Sequence, residues 1–416
     1  MGEWGLGSVI RLAVVVAAIA LQGCGGGGDG AEPAAVNTTP TVNTAPTENL
    51  VSATQIASVT KAQAAVLFTL AQVPLVPAYD VKIYKIVYRT SDASGAPINA
   101  SGALVVPQNL AAPAPLLSSQ HGTTTLKSDV ASTAPPAGLP YLNPEALTFG
   151  TAGYITALPD YIGYGESGDR FHPYLHAKSL AGSVIDLLRA AKTFCATNNI
   201  ALNGKLFLEG YSEGGYATMA ATREIQEKHA AEFAITASAP MAGPYDLSTS
   251  LLDVMNSSSY PSPGFVAFAF WAYDRVYALN ILGQVFMPLY AAKLDSLFDG
   301  THDLSTGINP ALSTDLATLF KGQFLTDFRD GGATALKARI QENNLYSWTP
   351  AVAMRLIHCK GDDIVAFKNS QTAFASFSSN GAKRFVQLVV PIPAGTHVSC
   401  AEPAVLAAKS WFDTLK

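Results

Sequence analysis

An α/β fold is predicted, with a mostly parallel central sheet, helices on both faces and a mainly helical cap insertion. Three observations predict it. Strand and helix patterns alternate on either side of the middle of the chain. Residues 247 to about 346 break that rhythm with helical, aromatic-rich sequence. The 416 residues are 49% hydrophobic and only 14% charged, which suits a large buried core and excludes a disordered chain. The formal net charge is -5, and no long basic run marks a nucleic-acid surface.

The N-terminus reads as an export signal, residues 1–23. Arg11 precedes an apolar run from Leu12 to Leu21 that is too short to span a bilayer. The run ends in Leu21-Gln22-Gly23-Cys24, which resembles the lipobox of bacterial lipoproteins. That resemblance implies cleavage before Cys24, a lipid on its thiol and anchoring to the bacterial cell envelope, at the outer membrane in a Gram-negative cell. The alternative is ordinary secretory cleavage and release. Residues 24–50, rich in Gly, Asn, Thr and Pro, cannot bury enough apolar surface to fold and read as a disordered tether. The catalytic domain is expected over 51–416, with its cap at about 247–346.

From about residue 80 the pattern is β. Val81 to Tyr88 alternates apolar and polar, Asp92-Ala-Ser-Gly95 signals a turn, and Ala100 to Val106 is a second strand. Pro115 to Ser119 and Tyr154 to Pro159 are further strands. Ser179 to Phe194 has helical spacing, with Val184, Leu187, Leu188 and Ala191 on one face. Lys205 to Leu208 is a strand, Tyr216 to His229 a helix and Ile235 to Met241 a strand. After the cap, Met354 to His358 and Arg384 to Val390 are strands. Phe367 to Ser378 and Cys400 to Leu415 are helices.

Gly210-Tyr-Ser-Glu-Gly214 carries the chemistry. Gly-x-Ser-x-Gly alone is a weak signal, but here an apolar strand precedes it and a helix follows. At such a turn the glycines let the backbone close, and the Ser212 hydroxyl projects above the sheet. A serine hydroxyl needs a base to take its proton. In the α/β hydrolases the chain order is nucleophile, acid, base. His397, in Pro393-Ala-Gly-Thr-His397 between a late strand and the closing helix, fits that order. His302 falls in the cap and His358 at a strand end, where exposed and structural roles are expected.

The acid follows the preceding strand, in His358-Cys-Lys-Gly-Asp362-Asp-Ile-Val365. In the pattern His-Gly-x-x-Asp-x-x-Val-Pro the acid is four after the histidine and three before the valine. Asp362 meets both counts and Asp363 neither. Cys359 and Ala366 depart from the pattern. Asp246, after an earlier strand, is the other candidate. For the oxyanion hole, one donor is the backbone N–H of Glu213. The other is the N–H of Gly122 or Thr123, in Gln120-His-Gly-Thr-Thr124. His121 reads as structural.

The chain resembles the secretory lipase family, the group around the yeast-type lipase A, and its bacterial esterase relatives. The resemblance covers about residues 55–416 and rests on several blocks. These are Tyr84 to Gly95, Pro159-Asp-Tyr-Ile-Gly-Tyr-Gly165, His172-Pro-Tyr-Leu175 leading to Ser183-Val-Ile-Asp186, the Ser212 turn, and Gly243-Pro-Tyr-Asp246. It implies an α/β-hydrolase fold, hydrolysis of small-molecule or lipid esters, a cap that shapes the acyl pocket, and no cofactor or metal. Peptide hydrolysis by the same triad, or a non-catalytic surface protein on this scaffold, are the competing readings.

Besides Cys24 there are Cys195, Cys359 and Cys400. Cys359 lies three residues before Asp362, and Cys400 three after His397. If those two loops meet, a Cys359–Cys400 bridge would tie them, as export permits. Three buried thiols are the alternative.

Overall fold

A computed structural model of the chain describes residues 49–416. The expected signal segment and Cys24 lie outside the described residues. The tether does so as well, except at its end, where Leu50 already opens a strand instead of closing a linker.

The sheet has nine strands in the order β1-β2-β3-β5-β4-β6-β7-β8-β9. These are β1 (Leu50–Val59), β2 (Val81–Ser91), β3 (Pro97–Pro107), β4 (Ala114–Gln120), β5 (Ile155–Pro159), β6 (Leu202–Tyr211), β7 (Ile235–Met241), β8 (Met354–Ile357) and β9 (Val386–Val389). The β1–β2, β2–β3 and β3–β5 pairings are antiparallel, and the five from β5 to β9 are parallel. The sequence starts the sheet near residue 80 and so misses β1 and the helix α1 (Lys61–Leu70). The reason is compositional. In Leu-Val-Ser-Ala-Thr-Gln-Ile-Ala-Ser-Val only Leu50, Ala53 and Val59 are buried, because β1 is an edge strand of small polar residues.

Neighbouring side chains along β6 show how the layers form. Leu206 and Leu208 join a core with Leu187 and Ile225. Those belong to α3 (Ala177–Thr197) and α4 (Glu213–Lys228). Phe207 points to the other face and meets Phe412 at 4.8 Å between ring centroids. Phe412 lies on the closing helix α8 (His397–Asp413). That alternation puts helices on both sides of the sheet, as the resemblance implies.

Between β7 and β8 lie α5 (Leu247–Asn256), α6 (Pro263–Val276) and a run of shorter helical segments ending at Glu342. The aromatic stripe of α6 is mainly cap core: Phe268, Phe270, Trp271 and Tyr273 are buried. Tyr216 donates to the carbonyl of Asn343 (2.6 Å) and Tyr273 to that of Leu175 (3.0 Å), tying the cap to the sheet layer. Among the described residues, no helix is long and apolar enough to cross a membrane.

Candidate active site

The turn from β6 into α4 shows why this sequence needs its glycines. A Cβ on Gly210 would come within 2.5 Å of the Gly214 carbonyl oxygen. One on Gly214 would overlap the Gln120 carbonyl, and one on Gly215 that of Met241. Both carbonyls belong to the strand ends beside the turn. The helix can therefore start this close to the sheet only where side chains are missing. Ser212 sits at φ 62°, ψ -120°, a conformation that a non-glycine residue adopts at a cost. Its N–H donates to the Met241 carbonyl at 2.9 Å, which helps hold it there.

The three candidate side chains form one hydrogen-bonded line. Ser212 Oγ lies 2.8 Å from His397 Nε2. His397 Nδ1 lies 2.6 Å from Asp362 Oδ2. His397 is 6% exposed and the Asp362 side chain is fully buried. His397 is the first residue of α8 instead of lying in the loop before it, because Thr396 and Ser399 form a reciprocal cap that starts the helix there. Tyr211 donates its hydroxyl to the His397 carbonyl at 2.6 Å.

Burial by itself would raise the Asp362 carboxyl. Hydrogen bonds from His358 and His397 outweigh it and hold the carboxyl down at about 2. The backbone N–H groups of Ile364 and Val365 donate to its other oxygen, Oδ1. Asp363 instead supports the base, its carboxylate accepting the backbone N–H of His397 at 3.1 Å. Asp246, the other candidate acid, caps α5 through the N–H of Thr249.

Cys359 and Cys400 are joined in a disulfide, their Cα atoms 6.0 Å apart, which ties the strand end before Asp362 to the helix that begins with His397. Cys195 is a buried free thiol.

The oxyanion-hole candidates also converge. A Cβ built on Gly122 would be 3.9 Å from Ser212 Cβ, so this backbone passes close to the serine. Thr123 Oγ1 is 3.1 Å from the Tyr174 hydroxyl. Tyr161 donates to the His121 carbonyl (3.0 Å) and Tyr164 to that of Thr124 (2.5 Å). The loop is thereby held from below by the Pro159–Gly165 block. Glu213 opens α4, where a first-turn N–H has no intrahelical acceptor and the helix end favours negative charge.

Over Ser212 opens a cavity of about 340 Å³. Leu247, Leu251 and Val254 of α5 and Phe265, Val266 and Ala269 of α6 line it on the cap side. Among the described residues no cluster of three or more His, Cys, Asp or Glu could hold a metal ion. Such an arrangement can draw a proton from a hydroxyl toward an imidazole and bring an apolar group to that hydroxyl.

The family model of the secretory lipases matches residues 147–413. The chain belongs to the secretory lipase family. Its resemblance to solved structures runs over nearly the whole described fold. The rice cell wall degrading esterase LipA from Xanthomonas oryzae, in a ligand-bound form, is 30% identical with a TM-score of 0.79, covering 89% of this chain and 100% of that one. A Legionella pneumophila protein is 26% identical with a TM-score of 0.80, covering 88% and 98%. Candida antarctica lipase A in its closed state shares the fold at 16% identity and a TM-score of 0.63, covering 92% and 85%. No curated protein matches. As a member of this family the chain is an α/β hydrolase that acts on ester bonds.

Two contributors to the site do not stand out in the sequence. His358, expected to be structural, touches Asp362 directly. His172 pairs with Glu213. His358 heads the acid motif and His172 heads the His-Pro-Tyr-Leu block, so both stand in segments that carry the family resemblance or the acid spacing.

Proposed function

We propose that this secretory lipase family member cleaves carboxylic esters through Ser212, with His397 as general base and acid and Asp362 as its orienting carboxylate. The observation that carries the reading is the unbroken hydrogen-bonded line from Asp362 Oδ2 through His397 to Ser212 Oγ.

His397 Nε2 takes the Ser212 proton as Oγ attacks the ester carbonyl. The C–O bond of the tetrahedral intermediate then breaks, and His397 gives its proton to the departing alcohol. Water, deprotonated by His397, releases the acid and restores Ser212. The N–H of Glu213 and that of Gly122 or Thr123 stabilise the oxyanion, each such donor typically worth about 3 kcal/mol. The ionised, buried Asp362 keeps the Nδ1–H tautomer and favours the imidazolium.

Ester cleavage is favoured over peptide cleavage by Glu213. Its carboxyl is engaged by His172 at 2.7 Å and is not presented as an acid for a substrate amine. The mixed lining of the cavity, with Thr249, Ser250 and Ser257 beside the apolar groups, and the buried aromatic stripe of α6 favour carboxylesterase over interfacial lipase action. Export fits the disulfide and the family, and Cys24 is proposed to carry the lipid anchor.

A nitrophenyl ester panel from acetate to palmitate, run beside peptide anilides, tests the reaction class. Turnover of short esters without anilide cleavage is expected; anilide cleavage as the dominant activity would overturn it. Membrane partitioning of a Cys24→Ser protein tests the anchor, and persistence on the membrane would overturn that part.

A further inference from the structure

His172 is buried, 4% exposed, and both its ring nitrogens meet oxygen atoms. Nδ1 lies 2.8 Å from the Ile162 carbonyl and Nε2 lies 2.7 Å from Glu213 Oε1. A carbonyl can only accept, so Nδ1 carries a hydrogen. The Nε2–Oε1 contact then needs a proton of its own, since two lone pairs would repel at that distance. The pair is therefore either imidazolium with carboxylate or imidazole with carboxylic acid, and it holds one shared proton with no net charge. Glu213 Oε2 is buried and has no hydrogen-bond partner among the described residues, so nothing else there neutralises the group.

The placement matters because Glu213 follows Ser212 directly. Its N–H is the candidate oxyanion donor, and its own carboxyl is attached to the same residue. A bare carboxylate there, screened little by solvent, would oppose the negative charge that develops on the substrate oxygen. Arg170 and Arg275 line a cavity together with His172 but pair with Asp92, Asp169 and Asp295, and among the described residues the ion-pair partner of Glu213 is His172. Tyr164, Tyr161, Phe268 and Tyr174 enclose the imidazole at 4.7 to 6.2 Å between ring centroids. Burial pushes the phenols of Tyr161, Tyr164 and Tyr174 well above their usual range, as it does that of Tyr216 on the Glu213 side. They stay neutral. Gly163 lets the chain carrying His172 pass this close, since a Cβ there would be 2.5 Å from the His172 backbone nitrogen.

We propose that His172 is a positioning residue for ester hydrolysis: the proton it shares with Glu213 holds that carboxyl in place and keeps bare negative charge away from the oxyanion hole. The Pro159–Gly165 and His172–Leu175 blocks thereby serve the reaction, and the proposal rests on the serine-hydrolase reading above.

The test uses the full chain with nitrophenyl butyrate. His172→Phe keeps the ring packing and removes the shared proton. Its kcat should fall roughly tenfold to a hundredfold near neutral pH with KM changed less than about threefold. Adding Glu213→Gln to His172→Phe should restore most of the lost kcat, because the amide is uncharged. His172→Gln, which offers N–H donors but cannot share a proton with the carboxyl, should show the same loss of kcat and the same rescue, and carries the test if the phenylalanine variant does not fold. Wild-type kcat in a folded His172 variant, a loss that falls on KM instead of kcat, or no rescue by Glu213→Gln would overturn the proposal. If Ser212→Ala is inactive while the His172 variants match wild type, this inference alone fails. If Ser212→Ala stays active, the underlying reading fails.

Discussion

His358 Nε2 lies 3.1 Å from Asp362 Oδ2, the same oxygen that His397 Nδ1 reaches at 2.6 Å. Ser370 Oγ lies 2.8 Å from His358 Nδ1, and its hydroxyl can donate there. That leaves the His358 Nε2–H directed at Asp362 and at the Val365 carbonyl, 3.0 Å away. With the N–H groups of Ile364 and Val365 on Oδ1, the carboxylate is surrounded by donors in a site without water exposure. A fully buried acid thereby stays ionised.

Removing that support should act through Asp362. His358→Ala is expected to lower kcat about tenfold or more, leave KM nearly unchanged and raise the Asp362 carboxyl from its depressed value. The folded-state value is depressed, from 3.8 to about 2, so the contribution is full above the unfolded value and disappears as pH falls toward about 2. It amounts to about 2 kcal/mol. Urea melts between about pH 2 and 5 should show a steeper acid loss in wild type than in Asp362→Asn.

The Cys359–Cys400 disulfide closes a segment with a sequence separation of 41. In chain-entropy terms, such a loop stabilises the fold by about 4 kcal/mol. Reduction, or Cys359→Ser with Cys400→Ser, should lower the denaturation midpoint and reduce kcat more than KM, because the bridge fastens the loops that present Asp362 and His397. An unchanged midpoint under reductant would show that the disulfide contributes nothing to the fold.

Glu209 is 1% exposed and stands one residue before Gly210. Burial first, and the nearby Glu145 carboxyl second, push it up from 4.5 to about 8. Here the folded state binds the proton more tightly than the unfolded state. Stability is therefore full below the unfolded value and declines as pH rises through about 8, by at most about 5 kcal/mol. Glu209→Gln should flatten that decline in thermal melts between about pH 6 and 9. Parallel slopes for both proteins would contradict it.

Two glycines near the serine should respond oppositely to alanine. Gly214→Ala forces a methyl into the Gln120 carbonyl and is expected to cost 3 kcal/mol or more, roughly, or to prevent folding. Gly122→Ala meets its nearest atom, the Tyr211 carbonyl oxygen, at 3.5 Å, an ordinary contact. It should fold with a melting temperature within a few degrees of wild type. Circular dichroism melts of the two variants check this.

The site is more legible in the sequence than the edges of the fold. Ser212, Asp362 and His397 can be read because a turn, a motif spacing and a chain order are local or ordinal features. The parallel strands β4, β6 and β7 announce themselves as apolar runs. By contrast β1 is an edge strand of Ser, Thr, Gln and Ala with only partial burial, so no alternation marks it. The roles of His358 and His172 depend on partners 4 and 41 residues away. The first separation hides inside the acid motif. The second is visible only once the strand ends are side by side.

Covalent labelling by a fluorophosphonate, read by peptide mass spectrometry alongside nitrophenyl butyrate turnover, bears most directly on Ser212 as the nucleophile. One adduct is expected, on Ser212, formed as activity is lost. A Ser212→Ala protein should fold, take no label and lose roughly 10⁴-fold or more in kcat. Turnover that survives in Ser212→Ala, or an adduct on another residue that tracks inactivation, would show that Ser212 is not the nucleophile.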